Sequence, residues 1–297
     1  MEKIILFYKF VPVHDPNITM RWQRELCNRL GLKGRIIISP HGINGTLGGE
    51  IENLREYKRE MNRSLLFKEI MYKWSDGEKD HFPKLSVKVR EELVAFKASD
   101  EIVVSERGVE NGGVHLKPAQ VHKLIAERGD EVIFFDGRNS YEAQVGRFKN
   151  AIIPDVKTTP DFIKELDDPK YDAIKNRPII TYCTGGIRCE ILSVLMINRG
   201  FKEVYQIDGG IVKYGEKYGD DGHWEGNLYI FDGRITHKFS SKAKDIGECD
   251  HCQTKTSNFI NCADVSCNKL ILVCRKCAKQ NHYCALHKKL APVETIS

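Results

Sequence analysis

No apolar run in the 297 residues approaches the roughly 20 needed to cross a bilayer, so no membrane helix is expected. The first ten residues, MEKIILFYKF, lack a basic n-region, a long apolar h-region and a small-residue cleavage site. No secretory signal is read there, and a cytoplasmic protein is expected. Cysteine is scarce over most of the chain: only Cys27, Cys183 and Cys189 precede residue 249. That excludes a disulfide framework for the body of the protein. An excess of one charge is missing from the same region, where the first 237 residues carry 36 Lys/Arg and 36 Asp/Glu. The Gly-rich HGINGT (41–46) lacks the Lys-Ser/Thr of a phosphate-binding loop and reads as a turn. No dinucleotide fingerprint and no haem ligand set is present, so no nucleotide or flavin site is expected. His223-Trp224-Glu225, with His237, has the spacing of an iron triad, but residues 223–234 read better as a strand-like extension.

What is present falls into parts. Residues 3–10 read as a strand, 18–31 as an amphipathic helix ended by Gly31, and Arg35 to Ser39 as a second strand. Residues 40–49 read as a turn with a short strand, 50–62 as a helix and 69–75 as a strand. The order βαββαβ predicts a ferredoxin-like α+β domain over 1–95. Arg21, Arg24, Arg29, Lys33 and Arg35 give it a basic side, read as a solvated face or as phosphate contacts. A connector over 96–115 leads to alternating helices and apolar strands. The strands are EVIFFDGR (131–138), RPIITYC (177–183) and EVYQIDGG (203–210), with helices at 117–129, about 161–175 and 189–199. This α/β alternation predicts a doubly wound parallel sheet over 116–238.

The stretch TYCTGGIRCE (181–190) carries the chemistry. Cys183 ends a strand, and ligands bind at the carboxyl ends of parallel strands. Thr184, Gly185, Gly186, Ile187 and Arg188 form a loop whose amides can turn toward the sulfur, with glycine allowing positive φ. The following helix N-terminus and Arg188 add positive charge. Together they should lower the thiol pKa and hold an anionic group on a sulfur that is open to the outside. The spacing C-x4-R makes a cradle that suits a persulfide better than a phosphate. Cys189 is read as a resolving thiol or as a small packing residue, Cys27 as core, and Asp136 with Arg138 as an ion pair bracing the loop.

The remaining seven cysteines crowd into the last 49 residues. Their pattern is Cys249-x2-Cys252, Cys262-x4-Cys267, Cys274-x2-Cys277 and Cys284-x2-His287. Four pairs suit two tetrahedral Zn²⁺ ions, interleaved or sequential, with His282 an alternative to His287. No pair leaves an open position, so the zinc is expected to be structural, in a cysteine-rich module over 239–297. From Lys238 on there are ten Lys/Arg against five Asp/Glu. Seven thiolates on two Zn²⁺ would reduce that excess to about +2, so the charge alone is weak support for an RNA partner.

The loop, with FFDGRNSYE (134–142) and VYQIDGG (204–210), resembles a rhodanese domain. HGINGT (41–46), FPKLSVKVREELV (82–94), YCTGGIRCE (182–190), GGIVKY (209–214), WEGNLYIFD (224–232) and the paired-cysteine tail come in the order of the rhodanese-domain tRNA uridine hydroxylases. DGRN (136–139) stands where that family usually has DVRN. The resemblance implies an enzyme that converts wobble uridine-34 of tRNA to 5-hydroxyuridine. Oxygen would be the co-substrate, tRNA the partner through its anticodon region, and Cys183 the essential residue. The residues alone imply thiolate or persulfide chemistry, and the alternative is a sulfurtransferase carrying sulfur on Cys183, with a persulfide donor protein as partner.

Overall fold

A computed structural model describes residues 1–267, 269–280 and 282–287. The chain divides into two compact units. One comprises Met1–Ser140 and Asn150–Lys217; the other comprises Tyr141–Lys149 and the chain from Tyr218 onward.

The first unit begins with β1 (Glu2–Phe10), α1 (Pro16–Arg29), β2 (Lys33–Ser39), β3 (Gly42–Glu50), α2 (Ile51–Arg63), β4 (Lys73–Asp76) and β5 (Leu85–Val89). Asp15 caps α1 by accepting from the amides of Asn17 and Ile18, and Pro16 fits the first turn, where no amide is needed. The sheet order is β4-β1-β3-β2-β5, antiparallel except that β5 runs parallel to β2. This is the expected ferredoxin-like arrangement with one strand added at the edge. Period-two alternation divides β1 between two faces. Ile5 and Phe7 are fully buried in a core with Leu26 and Cys27 of α1 and Leu54, Tyr57 and Met61 of α2. On the other face, Leu6 sits opposite Lys73 of β4, and Tyr8 and Phe10 pack into the second core of the unit.

A hairpin of β6 (Val104–Ser105) and β7 (Gly108–Val109) leads to β8 (Val114–Leu116), α3 (Pro118–Arg128), β9 (Ile133–Asp136) and the short α4 (Ser140–Ala143). After the excursion into the second unit come α5 (Asp161–Leu166), β11 (Pro178–Tyr182), α6 (Ile187–Asn198), β12 (Glu203–Ile207) and α7 (Gly210–Tyr218). The order β8-β12-β11-β9 is parallel throughout. The run PIITY of β11 is buried at every position, as a central parallel strand requires. The helix expected over about 161–175 is two pieces, α5 and a 3-10 helix over Pro169–Ile174. Pro169 cannot donate its amide, and Asp168 instead caps the second piece.

The second unit pairs β10 (Gly146–Phe148) with β13 (Trp224–Gly226), β14 (Leu228–Tyr229) with β15 (Thr236–His237), and β16 (Phe259–Asn261) with β17 (Leu270–Leu272), then adds α8 (Arg275–Ala278). Its buried apolar residues fall in small groups: Phe148, Trp224 and Leu228 on β10, β13 and β14, Val145 with Phe259 and Leu272, and Ile271 and Val273 with four buried cysteines. No helix among the described residues is long and apolar enough to cross a membrane.

Candidate active site

Cys183 leaves the carboxyl end of β11, and α6 begins at Ile187, two residues earlier than the spacing suggested. Arg188 and Cys189 therefore lie in the first helical turn, and the loop proper is Cys183 to Gly186. Gly186 takes a φ of 99°, which a side chain would resist, and its amide lies 3.2 Å from the Cys183 sulfur. The amides of Arg188 and Cys189 also point at that sulfur. The loop carbonyls are turned the other way and occupied. The amide of Ile211 donates to the Cys183 carbonyl at 3.0 Å, and that of Val212 to Thr184 at 3.1 Å. A Cβ at Gly210 would meet the Cys183 carbonyl oxygen at 2.5 Å, so the second glycine of VYQIDGG permits this packing.

Burial raises the pKa of the Cys183 thiol. It is outweighed by the hydrogen bond from the Cys189 thiol, the charge of Arg188 and the two helical amides, which bring the value down to about 6. The Cys189 thiol is pushed well above its usual range, by burial first and then by Cys183. At neutral pH the pair is a thiolate accepting from a thiol. Arg188 is itself nearly buried and donates to the Thr184 hydroxyl at 3.3 Å.

The sulfur is not open to the outside as the sequence suggested: Cys183 is 1% exposed. The ferredoxin-like sheet closes the loop. A Cβ at Gly185 would lie 2.7 Å from Leu6 Cδ2, and one at Gly186 would lie 2.9 Å from the Tyr8 hydroxyl. Tyr8 donates to Glu190 at 3.0 Å, and Glu190 also meets His115 at 3.2 Å and the Gln206 amide at 3.3 Å. Burial, then Glu190, raises the Tyr8 pKa well above 10, so this hydroxyl keeps its proton. Leu6, Tyr8, Lys73 and Glu190 have no assigned role in the sequence reading. The available signal was a lysine set between the apolar residues IMY and Trp74 in EIMYKWS.

Asp136 and Arg138 are both 0% exposed and paired two-fold, at 2.7 Å and 2.9 Å. The Arg138 guanidinium lies over Tyr182, next to the thiol loop. Asp136→Asn should cost about 3–5 kcal/mol, because it leaves a buried guanidinium without its counter-charge. A denaturant melt reads this directly, and an unshifted midpoint would reject it. A Cβ at Gly137 would stand 2.9 Å from Leu192 Cδ2 and 3.1 Å from the Tyr182 carbonyl oxygen, so the glycine keeps this turn close to β11 and α6.

The cysteine pairs come together in two sets. Cys249, Cys252, Cys274 and Cys277 form one; Cys262, Cys267, Cys284 and His287 form the other. The donor atoms of each set lie within 4.8 Å of one another, and each set can hold a metal ion. The pairing is interleaved, first with third and second with fourth. A tetrahedron with Zn–S bonds of about 2.3 Å has S···S edges of ~3.8 Å. Cys252–Cys274 and Cys267–Cys284 are separated by 3.6 and 3.9 Å. His287 Nδ1 lies 3.6 Å from Cys262 and 3.4 Å from Cys284, which makes it the imidazole of the second set rather than His282.

Three family models match. The UPF0176 acylphosphatase like domain covers residues 2–93, the rhodanese-like domain 117–217, and the rhodanase C-terminal domain 225–289. A tRNA uridine(34) hydroxylase of Corynebacterium jeikeium is 59% identical over 93% of this chain and 89% of its own length. The chain belongs to the tRNA uridine(34) hydroxylase family. Further members bearing that name are 57% identical in Corynebacterium glutamicum and 56% identical in an Arthrobacter species, the latter over 94% of this chain and 95% of its own. Within this family assignment, the rhodanese-like match contains the whole thiol loop, and the C-terminal match spans all eight clustered metal-binding candidates.

Proposed function

We propose that the protein hydroxylates C5 of wobble uridine-34 in tRNA, with O₂ as co-substrate and Cys183 as the essential residue. The supporting observation is the Cys183 thiolate, held by loop amides, by Arg188 and by the Cys189 thiol, in a chain that matches named tRNA uridine(34) hydroxylases over nearly its full length. Inserting one oxygen atom into the C5–H bond is a two-electron oxidation. With O₂ as the source, the second oxygen atom leaves as water, taking two electrons and two protons from a reductant of the thiol class.

Around the turn that follows β12, Met71, Pro118, Asp208, Lys213, Glu216 and Lys217 line a cleft of about 350 Å³. That lies within the range of small-ligand pockets. Lys213 and Lys217 suit the phosphates flanking an extruded base. In the second unit, the two sets of four donors are assigned to structural Zn²⁺, since thiolates with one imidazole are the ligands that ion prefers. Neither set has a spare position for substrate.

The test is purified protein with tRNA from cells lacking it, under ¹⁸O₂, followed by nucleoside mass spectrometry. The expected product is 5-hydroxyuridine at position 34 carrying ¹⁸O. Unaltered wobble uridine in the presence of oxygen and thiol would overturn the reading. A second reading, sulfur transfer, is favoured by a cradle shaped around a single sulfur. It requires steady turnover from thiosulfate to a thiol acceptor, not merely a gain of one sulfur in the intact mass of the protein.

A further inference from the structure

Lys73 is a buried cation. It sits in β4 and is 4% exposed. Among the described residues its ammonium makes no hydrogen bond and no ion pair; its one close partner is the Tyr8 ring, 4.8 Å away at the centroid. A buried ammonium without a counter-ion is costly, and such groups normally have an anion near them.

The geometry sets Lys73 beside the thiol loop. Opposite Lys73 on the neighbouring strand is Leu6, the residue that touches Gly185 of the thiol loop. The Lys73 stem lies beside Gly209, whose Cβ would meet Cε at 3.3 Å, and the next residue, Gly210, packs on the Cys183 carbonyl. The end of the Lys73 side chain thus lies beside the glycine pair that packs on the thiol loop. Burial depresses its pKa to about 8, and among the charges opposing that depression Cys183 stands first, ahead of Asp208 and Glu190, with Lys213 acting the other way.

We propose that Lys73, supplied by the ferredoxin-like sheet, is the counter-ion of the Cys183 thiolate: a positioning residue that keeps the reacting sulfur ionised and couples this sheet to the thiol loop. The groups around the sulfur and the ammonium are then Arg188, Cys189 and Glu190 from α6, Tyr8 from β1, Lys73 from β4, Asp208 at the turn into α7 and Lys213 within α7. His115 of β8 reaches the group through Glu190. Of the two lysines in this set, only Lys73 lacks a carboxylate of its own; Lys213 is paired with Glu216 at 2.7 Å. This also explains why the loop is closed: the sheet that hides the sulfur carries the charge that stabilises it.

The proposal rests on the reading that Cys183 is the reacting sulfur, and its test reads ionisation rather than turnover. The thiolate absorbance of Cys183 is titrated as the difference between each protein and its Cys183→Ser partner, in the parent, Lys73→Met and Lys73→Arg backgrounds. Lys73→Met should raise the midpoint by about one unit, a tenfold loss of thiolate on the acid side, and Lys73→Arg should hold it near the parent value. An unmoved midpoint in folded Lys73→Met, or an equal rise in both variants, overturns the proposal. If Lys73→Met does not fold, the reciprocal measurement decides: the Lys73 ammonium, followed by lysine ¹³Cε NMR, should titrate lower in Cys183→Ser than in the parent, and an unchanged midpoint rejects it. Persistence of 5-hydroxyuridine in Cys183→Ala would instead defeat the functional reading and leave this result standing.

Discussion

Cys183→Ala should fold and should lose 5-hydroxyuridine formation by a factor of about 10³ or more, the scale expected when a nucleophile acting as part of a unit is removed. Folding should survive because the side chain is small and no hydrogen bond of the helix or sheet passes through the sulfur. Three amides would lose a partner, yet the N-terminus of α6 keeps Gly186 in its left-handed conformation. Activity should also follow the ionisation of this sulfur. The folded value, near 6, is below the ordinary thiol value of 9, so the reactive form is full above neutrality and is lost as pH falls through about 6. The same depression means that the thiolate contributes stability at alkaline pH, and that this contribution disappears as acid protonates it. Cys189→Ala separates ionisation from chemistry. It deletes the strongest group lowering the Cys183 pKa and should move the acid limb of the pH–rate profile upward while leaving turnover at high pH. Complete loss of turnover at every pH in Cys189→Ala would instead give Cys189 a direct chemical part.

The thiol loop was legible because its residue types are tied to its geometry. A glycine pair, an arginine and a strand before them leave few conformations, and the structure adopts one with the amides turned inward. Two misreadings have physical causes. Residues 40–49 read as a turn with only a short strand because Gly42, Gly45, Gly48 and Gly49 weaken the strand pattern, yet Gly42–Glu50 is a nine-residue central strand. Its glycines are places where neighbours fill the space: the Phe7 ring stands 2.4 Å from a Cβ at Gly45, and Leu32 stands 2.5 Å from one at Gly49. Likewise, Ile187 and Arg188 were read as loop, because a helix capped by a left-handed glycine shows no Ser, Thr or Asp at its start.

The closure of the sulfur was beyond reach for a different reason. Leu6, Tyr8 and Lys73 lie more than 100 residues before Cys183, and nothing in strand periodicity says which body covers the helix-free face of a ferredoxin-like sheet. Alternation along β1 gives a face made of Leu6 and Tyr8, but only the tertiary fold shows that it lies on the loop. Local chemistry was therefore visible one residue at a time. The groups tuning it from another strand order were not.

Removal of metal should unfold the cysteine module and spare the first unit. The reason is the size of its core: Ile271, Val273 and four cysteines form its main buried group, with the cysteines packed around the donor sites themselves. Burying Phe259, Ile271, Leu272 and Val273 supplies only about 6–12 kcal/mol, well short of the entropy of ordering some 40 residues. A structural zinc site supplies about 10–16 kcal/mol of apparent binding energy at neutral pH, which becomes folding energy when no preformed site exists in the unfolded chain. Two sites sharing interleaved ligands should melt together, because Cys262 and Cys267 lie in the chain between the two halves of the first set. Excess chelator should release about two Zn²⁺ per chain and make residues 249–287 protease-sensitive, while the thiolate titration of Cys183 stays in place. Cys274→Ser should do the same without chelator, with the loss of both ions rather than one. Release of one ion per chain from Cys274→Ser, with the second set still protected from protease, would show that the sites fold independently. Full protection of the module after metal removal would show that its apolar contacts suffice without metal.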